Sequence, residues 1–262
     1  MDINILHCGD IHIRILARYQ ETRHIFDNLF LKLQKLEDKG KWNKQVDRIY
    51  VGGDIVHSKL QLSPECVDLV NYFFNGLSRF GEVDIILGNH DCNLSNLSRL
   101  DAISPLISAL NNPRLHLYKK PQLVDIPNTN LTYGIFSVLH DNKGPEFLKD
   151  DDRTYIALFH GPINNSLTDI NFKLSSNHTV LDFKQYDYGL FADIHKRQFL
   201  DKKKRFAYCG SLFQNNYGED NKKGCLIWSF KDSGRVSTKF LHIPNDYQFH
   251  TLDLTTQSEY SN

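Results

Sequence analysis

Short apolar runs that end in polar, often glycine-containing residues recur along this chain. The runs with this form are INILHCGDIH from residue 3, RIYVGGDIVH from 48, VDIILGNHD from 83, YIALFHG from 155 and YGLFADIH from 188. Each apolar part is short and rich in Ile, Val, Leu or aromatic residues, which favours a buried β-strand over a helix. The pattern therefore predicts a set of buried strands, each followed by a polar loop.

Two segments between the first three of these predicted strands show helical periodicity. Apolar residues recur at helical spacing over residues 25–36, ending near Gly40, and again over residues 67–77. Pro64 precedes the second stretch, and proline is favoured in the first turn of a helix. A third helix is predicted over about residues 95–110.

The remainder of the chain is rich in predicted strands. The turn sequence PNTN separates two apolar segments within residues 124–133, which predicts a hairpin. Further short strands are predicted over residues 205–212, 224–230 and 236–243. Helix-linked strands followed by short strands predict an α/β fold in which helices cover a core of two sheets.

Composition and charge narrow the functional classes. Apolar residues make up 40% of the chain and charged residues 24%, and the formal net charge is zero. Zero net charge argues against a protein that binds nucleic acid by charge alone. It does not argue against an enzyme that binds phosphate through a metal ion. The five cysteines have no paired spacing, and neither a signal peptide nor an apolar stretch of membrane-spanning length is evident. We therefore expect an intracellular protein, not a secreted one, with no membrane partner.

The polar ends of the predicted strands carry residues that bind metal. They are Asp10, His12, Asp54, Asn89, His90, His160, Asp193 and His195. A single such residue is usually a cap or a solvated turn, but this recurrence at successive strand ends favours a shared metal site. Oxygen and imidazole ligands suit manganese, iron, magnesium or zinc, and the mixture of His with carboxylate favours manganese. One carboxylate between two sites could bridge metals roughly 3.5–4 Å apart, as in two-metal phosphoryl displacement.

The ordered motifs GDIH, GGD, GNHD, HG and a final x-D-x-H resemble those of the calcineurin-like metallophosphoesterase superfamily. ILHCGDIH, GGDIVHSKLQLSPE and ADIHKRQ followed by YCGSLFQNNYGED are similar to motifs of its DNA double-strand-break repair nucleases, the SbcD and meiotic-recombination-eleven type with its phage relatives. The resemblance covers about residues 3–230. It implies a four-layer α/β/β/α sandwich acting as a manganese-dependent DNA exonuclease and endonuclease, with magnesium as the second choice of metal.

Carried over residue by residue, the resemblance implies two metal ions. The first would be held by Asp10, His12 and His195. Asp54 would bridge the two ions, and Asn89 and His160 would bind the second. This chain departs from the family at Asp193, because Ala192-Asp193-Ile194-His195 stands where the family usually has Gly-His-x-His. An aspartate can still bind manganese through oxygen, so the second site is either rebuilt around Asp193 or weakened.

The resemblance also implies catalytic and DNA-contacting residues. His90 would stabilise the transition state or protonate the leaving oxygen, which suits a side chain that titrates near neutrality. His57 would contact the scissile phosphate region and help to place the DNA strand. Lys196 and Arg197 open a basic run that is ordinarily a solvated loop, but beside a phosphodiester site they would bind backbone phosphates.

The resembled nucleases form homodimers and act with an ABC-type ATPase that has a long coiled coil. They also carry a capping domain and ATPase-binding helices. We expect residues 1–250 to form the catalytic domain and residues 251–262 a flexible polar tail, with the capping domain and ATPase-binding region absent. The expected partners are DNA, a second copy of the chain and the ATPase.

Two other functions stay open. One is a different enzyme of the same superfamily, a phosphoprotein phosphatase or a cyclic-nucleotide phosphodiesterase. Against the phosphatase, GGDIVHSK lacks the arginine that those enzymes place after their second motif, and GNHD stands where they have GNHE. The other is a metal-poor scaffold subunit without catalytic activity, disabled at Asp193.

Overall fold

The structure, a computed structural model, describes residues 2–14 and 16–250, in which twelve strands form two six-stranded sheets. The first sheet contains β1 (Ile3–Cys8), β2 (Arg48–Val51), β3 (Glu82–Ile86), β4 (Leu115–Tyr118), β11 (Gly224–Phe230) and β12 (Val236–His242), in the order β12-β11-β1-β2-β3-β4. The second contains β5 (Gln122–Asp125), β6 (Leu131–Ile135), β7 (Thr154–His160), β8 (Tyr188–Ala192), β9 (Gln198–Phe199) and β10 (Phe206–Tyr208), in the order β5-β6-β7-β8-β10-β9. The tail predicted over residues 251–262 lies outside the described residues.

Three α-helices occur in the described residues: α1 (Tyr19–Asp38), α2 (Pro64–Ser78) and α3 (Ser104–Leu110). The first two confirm the predicted periodicity. The Ser63 side chain accepts a hydrogen bond from the Cys66 backbone N–H at 3.2 Å, and Pro64 lies in the first turn, so α2 has both signals of a helix start. Within the described ranges no helix combines the length and apolar character that a membrane span requires.

The third predicted helix is wrong over most of its length, because only residues 104–110 are helical. Short polar side chains bond the backbone locally in the segment before it. Asn93 accepts from the Ser95 N–H at 3.1 Å, and Asp101 accepts from the Ile103 N–H at 3.0 Å. Such turns compete with helical hydrogen bonds, and this explains why apolar spacing alone overpredicted the helix.

An apolar layer separates the two sheets and contains the fully buried side chains Tyr50, Tyr133 and Trp228. The opposite face of the first sheet is covered by α1 and α2. The rings of Phe26 on α1 and Phe73 on α2 pack with their centroids 4.5 Å apart. Burial of both faces explains why the central strands read as continuous apolar runs rather than alternating ones.

The outer face of the second sheet carries an aromatic cluster. Its members include Phe136, Phe159, Phe183, Phe191 and Phe206. In the described residues this face is covered by the 3-10 helix Val180–Phe183 and by loops rather than by α-helices. The predicted α/β sandwich of two sheets is confirmed, and its layer over the second sheet is formed by these short segments.

The five apolar runs that opened the sequence pattern all form strands: β1, β2, β3, β7 and β8. The hairpin is also confirmed, since β5 and β6 pair antiparallel. The strand predicted over residues 205–212 is shorter, because the chain turns at Gly210. There φ is 76° and a Cβ would lie 2.7 Å from the His195 carbonyl oxygen, so the turn requires glycine.

Parallel pairing determines where the functional loops lie. β1, β2 and β3 are parallel neighbours in the first sheet, and β7 and β8 are parallel neighbours in the second. The carboxyl ends of parallel strands lie at one edge of their sheet, so the loops that follow these five strands can meet.

Candidate metal centre

The loops after β1 and β2 fold as a pair. The Asp10 N–H donates to the Gly53 carbonyl at 3.1 Å, and the His12 N–H donates to the Asp54 carbonyl at 2.9 Å. Asp10, His12 and Asp54 have φ angles of 52°, 50° and 51°, a left-handed conformation that costs a non-glycine residue roughly 1–2 kcal/mol. The surrounding hydrogen bonds hold this conformation, and it directs three side chains towards one point.

The loop after β3 packs closely on the loop after β2. Gly53 has a φ of 90°, and a Cβ there would lie 2.4 Å from the Gly88 nitrogen. The buried Asp91 carboxylate joins the two loops, because it accepts from the N–H groups of Ile55 at 2.9 Å, Val56 at 3.1 Å and Gly88 at 2.9 Å. The role of Asp91 is therefore to hold the two loops together rather than to act as a ligand.

Asp10, His12 and His195 come together as one group, in which one donor atom from each side chain lies within 4.8 Å of the others. The Nε2 atoms of His12 and His195 face one another at 3.1 Å. The Asp10 carboxylate accepts from the Asp193 N–H at 3.0 and 3.2 Å, which ties the loop after β1 to the loop after β8. The two sheets therefore contribute jointly to this group.

Asp54 lies between that group and a second one. Its Oδ2 is 3.5 Å from His12 Nε2, and its Oδ1 is 3.4 Å from His160 Nε2. Donor atoms of Asp10, Asp54 and His160 also lie within 4.8 Å of one another. Both carboxylates thus lie between the two ligand groups, a position that the sequence argument gave to Asp54 alone.

His160 is the centre of the second group. Its Nε2 is 3.0 Å from Asn89 Oδ1 and 3.7 Å from Asp193 Oδ1, and its Nδ1 donates to the Gly52 carbonyl at 2.7 Å. Because a carbonyl oxygen can only accept, Nδ1 carries a hydrogen, and Nε2 is the nitrogen that faces the centre. Asp193, the residue at which the sequence departs from the family pattern, is directed into this group.

The electrostatics of the centre fit divalent cations. Burial raises the pKa of Asp10 to about 6 and also raises the pKa of Asp193. Burial opposes protonation of His160, but the carboxylates of Asp54 and Asp193 raise the pKa of this imidazole to about 9. His12 Nδ1 is buried without a hydrogen-bond partner. Crowded buried carboxylates that face imidazoles form a donor set suited to divalent metal ions.

His90 and His57 lie against the first group. His90 Nδ1 donates to the His57 carbonyl at 2.9 Å, and the His90 N–H donates to Asp54 Oδ1 at 2.8 Å. The rings of His57 and His90 stack with centroids 5.4 Å apart, and the His12 ring meets that of His90 edge-on. Donor atoms of these three histidines also lie within 4.8 Å of one another. The catalytic roles assigned to His90 and His57 stay predictions.

Glu219 is a functional candidate that the sequence reasoning missed. Its Oε1 accepts from His195 Nδ1 at 2.7 Å, which leaves His195 Nε2 facing the centre. Burial opposes ionisation of Glu219, but the hydrogen bond from His195 and the charge of Lys223 lower its pKa to about 2. The segment YCGSLFQNNYGED contains Glu219, but the spacing within that segment does not show which acidic residue reaches His195.

Lys196 and Arg197, the predicted DNA-binding residues, have protein partners. Lys196 Nζ donates to Asn171 Oδ1. The Arg197 guanidinium lies 3.5 Å from the centroid of the Phe240 ring on β12. Both follow His195 directly, so they remain near the centre, and their contact with DNA stays a prediction.

Comparison with known proteins supports the reading of this centre. The profile of a family described as "Calcineurin-like phosphoesterase" matches residues 3–197. "Uncharacterized protein R555" of Acanthamoeba polyphaga mimivirus is 36% identical over 262 residues, which covers 95% of this chain. The same alignment covers 19% of the viral protein, so this chain is similar to a small part of that relative.

Proposed function

Because the chain belongs to the calcineurin-like phosphoesterase family, we propose that it is a two-metal-dependent nuclease that hydrolyses phosphodiester bonds in DNA. The observation that carries the proposal is the position of Asp54, with one carboxylate oxygen near His12 of the first ligand group and the other near His160 of the second. A carboxylate shared in this way suits two adjacent cations. We propose manganese as the physiological ion and magnesium as a substitute.

Each ion would have its own residues in this arrangement. Asp10, His12 and His195 would hold the first, and Asn89, His160 and Asp193 the second, with Asp54 between them. Bound divalent ions supply Lewis acidity that activates a water molecule and offsets charge on a phosphate. Glu219 holds His195 in the tautomer that presents Nε2, and the Gly52 carbonyl does the same for His160.

We assign His90 to the substrate rather than to a cation, because the resemblance to the family implies a catalytic role at this position. Its Nδ1 donates to the His57 carbonyl, so its Nε2 carries no hydrogen unless the ring is protonated. A protonated His90 would donate from Nε2 to a phosphate oxygen or to the leaving oxygen. The His57 ring stacks beside the His90 ring, with centroids 5.4 Å apart.

The space around the centre favours a polymer as substrate. Two clefts of about 440 Å³ each flank it. The lining of one includes Asn89 and His160, that of the other includes Phe172 and His195, and Asp193 lines both. A strand that crossed the centre would have room for a nucleotide on either side of the cleaved phosphate. The likeness of the motifs to those of repair nucleases supports DNA as that strand, with a second copy of the chain and a coiled-coil ATPase as proposed partners in repair or recombination.

A nuclease assay with parallel metal analysis tests the proposal. Plasmid nicking and 3′-exonuclease activity would be measured with manganese, with magnesium and with chelator, beside cyclic-nucleotide and phosphoprotein substrates. We expect two ions per chain and cleavage of DNA with manganese. Preferential turnover of a phosphoprotein or cyclic nucleotide would indicate another kind of phosphoesterase instead of a nuclease. One bound ion or none, without turnover of any substrate, would indicate a scaffold subunit.

The matched variants are Asp54→Asn and Asp151→Asn. Both remove one carboxylate charge, but Asp151 lies on an exposed turn. Asp54→Asn should abolish cleavage and lower metal content, whereas Asp151→Asn should leave both unchanged. Cleavage by Asp54→Asn at the rate of the unmodified protein would contradict a role for the shared carboxylate.

A further inference from the structure

Arg14 lies beside the centre, and its guanidinium contacts two neutral groups. It follows His12 by two residues in the loop after β1. Its Nη1 lies 3.5 Å from His57 Nε2, and its Nη2 donates to the Asn215 carbonyl at 3.2 Å. Both partners are neutral, and among the residues that the structure describes no Asp or Glu forms an ion pair with Arg14.

Arg18, in the same region, has the contacts of an arginine that stabilises the fold. Its Nε and Nη2 donate to the two oxygens of Glu21, each at 2.6 Å, and its guanidinium lies over the Phe213 ring. Within the part of the chain that the structure describes, Arg14 has neither a carboxylate partner nor an aromatic ring against its guanidinium. Arg18 therefore has an evident role in holding the fold, whereas the charge of Arg14 is left available.

The surroundings of Arg14 favour an anion. Its Nη1 and Nη2 lie against an imidazole and a carbonyl, neither of which carries negative charge. A guanidinium stays protonated at neutral pH. The planar fork of N–H donors of Arg14 matches a phosphate, which accepts two parallel hydrogen bonds.

The position of Arg14 relative to the centre indicates which phosphate. Arg14 contacts His57, and the His57 ring lies 5.5 Å from that of His12 and 5.4 Å from that of His90. Arg14 is thus connected to the ligand groups through His57 rather than directly. A phosphate cleaved between the two ligand groups would be served by the residues of the centre, and Arg14 would be left for a neighbouring phosphate.

We propose that Arg14 binds a second phosphate of the substrate, next along the strand to the phosphate that is cleaved, while His57 keeps its predicted position at the cleaved phosphate. The inference rests on the proposed function and deepens it. It makes the preferred substrate a polynucleotide of at least two phosphates, and it makes Arg14 a specificity-determining residue against diesters that carry a single phosphate.

The test compares substrates with one and with several phosphates. The variants Arg14→Gln and Arg14→Lys would be assayed with manganese on a single-stranded oligonucleotide and on bis(p-nitrophenyl) phosphate. The control is Arg235→Gln, which removes the same charge from an exposed position next to the start of β12. β12 pairs with β11 so that its first residue lies opposite Phe230, which in turn lies opposite Ile3, at the end of β1 away from Asp10.

Arg14→Gln should lower the preference for the oligonucleotide, measured as the ratio of kcat/KM on the two substrates, by about ten- to hundredfold. The loss should lie mainly in a higher KM for the oligonucleotide. Arg14→Lys keeps the charge without the fork and should fall in between. Arg235→Gln should keep the ratio of the unmodified protein. Far-ultraviolet circular dichroism would show that each variant is folded.

Binding gives a second measurement that needs no cleavage. The slope of log Kd against log salt concentration for the oligonucleotide should decrease in magnitude by about one in Arg14→Gln. An unchanged slope and an unchanged preference would overturn the inference, and so would equal losses on both substrates, which would place Arg14 at the cleaved phosphate. If the unmodified protein turned over only the small diester, the nuclease proposal would fail, and the salt slope would still decide whether Arg14 contacts phosphate.

Discussion

The Asp193 carboxylate oxygen Oδ1 lies 3.7 Å from His160 Nε2, so the aspartate of the ADIH motif is directed into the second ligand group. Its backbone contacts Asp10 of the first ligand group, since the Asp193 N–H donates to both oxygens of that carboxylate. The φ of Asp193 is 103°, which is uncommon for a residue with a Cβ. In the proposed second site, Asp193 would thus supply an oxygen ligand at a position where the family usually has imidazole.

The first prediction concerns this ligand. Asp193→Ala should lower occupancy of the second metal and reduce DNA cleavage, because it removes an oxygen ligand and leaves His160 with fewer partners. Asp193→His should keep two ions and match or raise activity, since imidazole also binds manganese. Metal content after dialysis and nicking rates would be measured together. Loss of both ions from Asp193→His would contradict the assignment.

The second prediction separates catalysis from metal binding. His90→Ala should reduce strand cleavage by about 10²–10⁴-fold, the usual contribution of a positioned acid or base, with two ions retained. The Asp54 carboxylate should stay in place because it accepts from the backbone N–H of residue 90, which the substitution keeps. His250→Ala, at an exposed position, is the control. Cleavage by His90→Ala at the original rate would remove His90 from the mechanism.

The third prediction concerns Glu219. Glu219→Gln should weaken metal affinity by about 10–100-fold, because the residue orients His195 and increases the basicity of the imidazole. Asp220→Asn changes the neighbouring exposed carboxylate and should have no such effect. Manganese titrations followed by calorimetry would measure both. Equal affinities in the two variants would show that the hydrogen bond to His195 has no role in metal binding.

The ligands that follow strands were predictable and Glu219 was not, for a physical reason. A buried strand is visible as an apolar run, and its carboxyl end shares an edge with its parallel neighbours, so Asp10 and Asp54 could be placed together from sequence. Glu219 lies in a loop between β10 and β11 whose path depends on the Gly210 turn and on hydrogen bonds from Ser211 and Asn215. Periodicity carries no information on such a loop.

The different partners of Arg14 and Arg18 were equally impossible to predict from the sequence. Arg14 and Arg18 both follow the GDIH motif closely, and nothing in their spacing distinguishes them. Only the fold shows that Glu21 pairs with Arg18 while the Asn215 carbonyl meets Arg14. Sequence patterns therefore predicted which strands carry the centre, and tertiary contacts were needed to separate the residues that support it from those that would meet substrate.

The last prediction concerns stability and acid. His7 on β1 is fully buried, and burial lowers its pKa to about 3. Its ring is satisfied in the neutral form, since Nε2 donates to the Phe191 carbonyl at 3.1 Å and Nδ1 accepts from Trp228 Nε1 at 3.4 Å. A proton on Nδ1 would break the second bond and place a charge between the sheets.

The unfolded chain takes up a proton at His7 near the ordinary value of 6.5, whereas the folded chain does so only near 3. Between these values the unfolded state binds more protons, so the free energy of unfolding should fall as the pH falls, by about 1.4 kcal/mol per pH unit from this group. His7→Gln has no titrating ring, and its amide can still donate to the Phe191 carbonyl. Urea denaturation at pH 7 and pH 5 should therefore show a smaller loss of stability in this variant than in the unmodified protein. Equal losses would mean that His7 is already protonated in the fold or remains neutral in the unfolded chain.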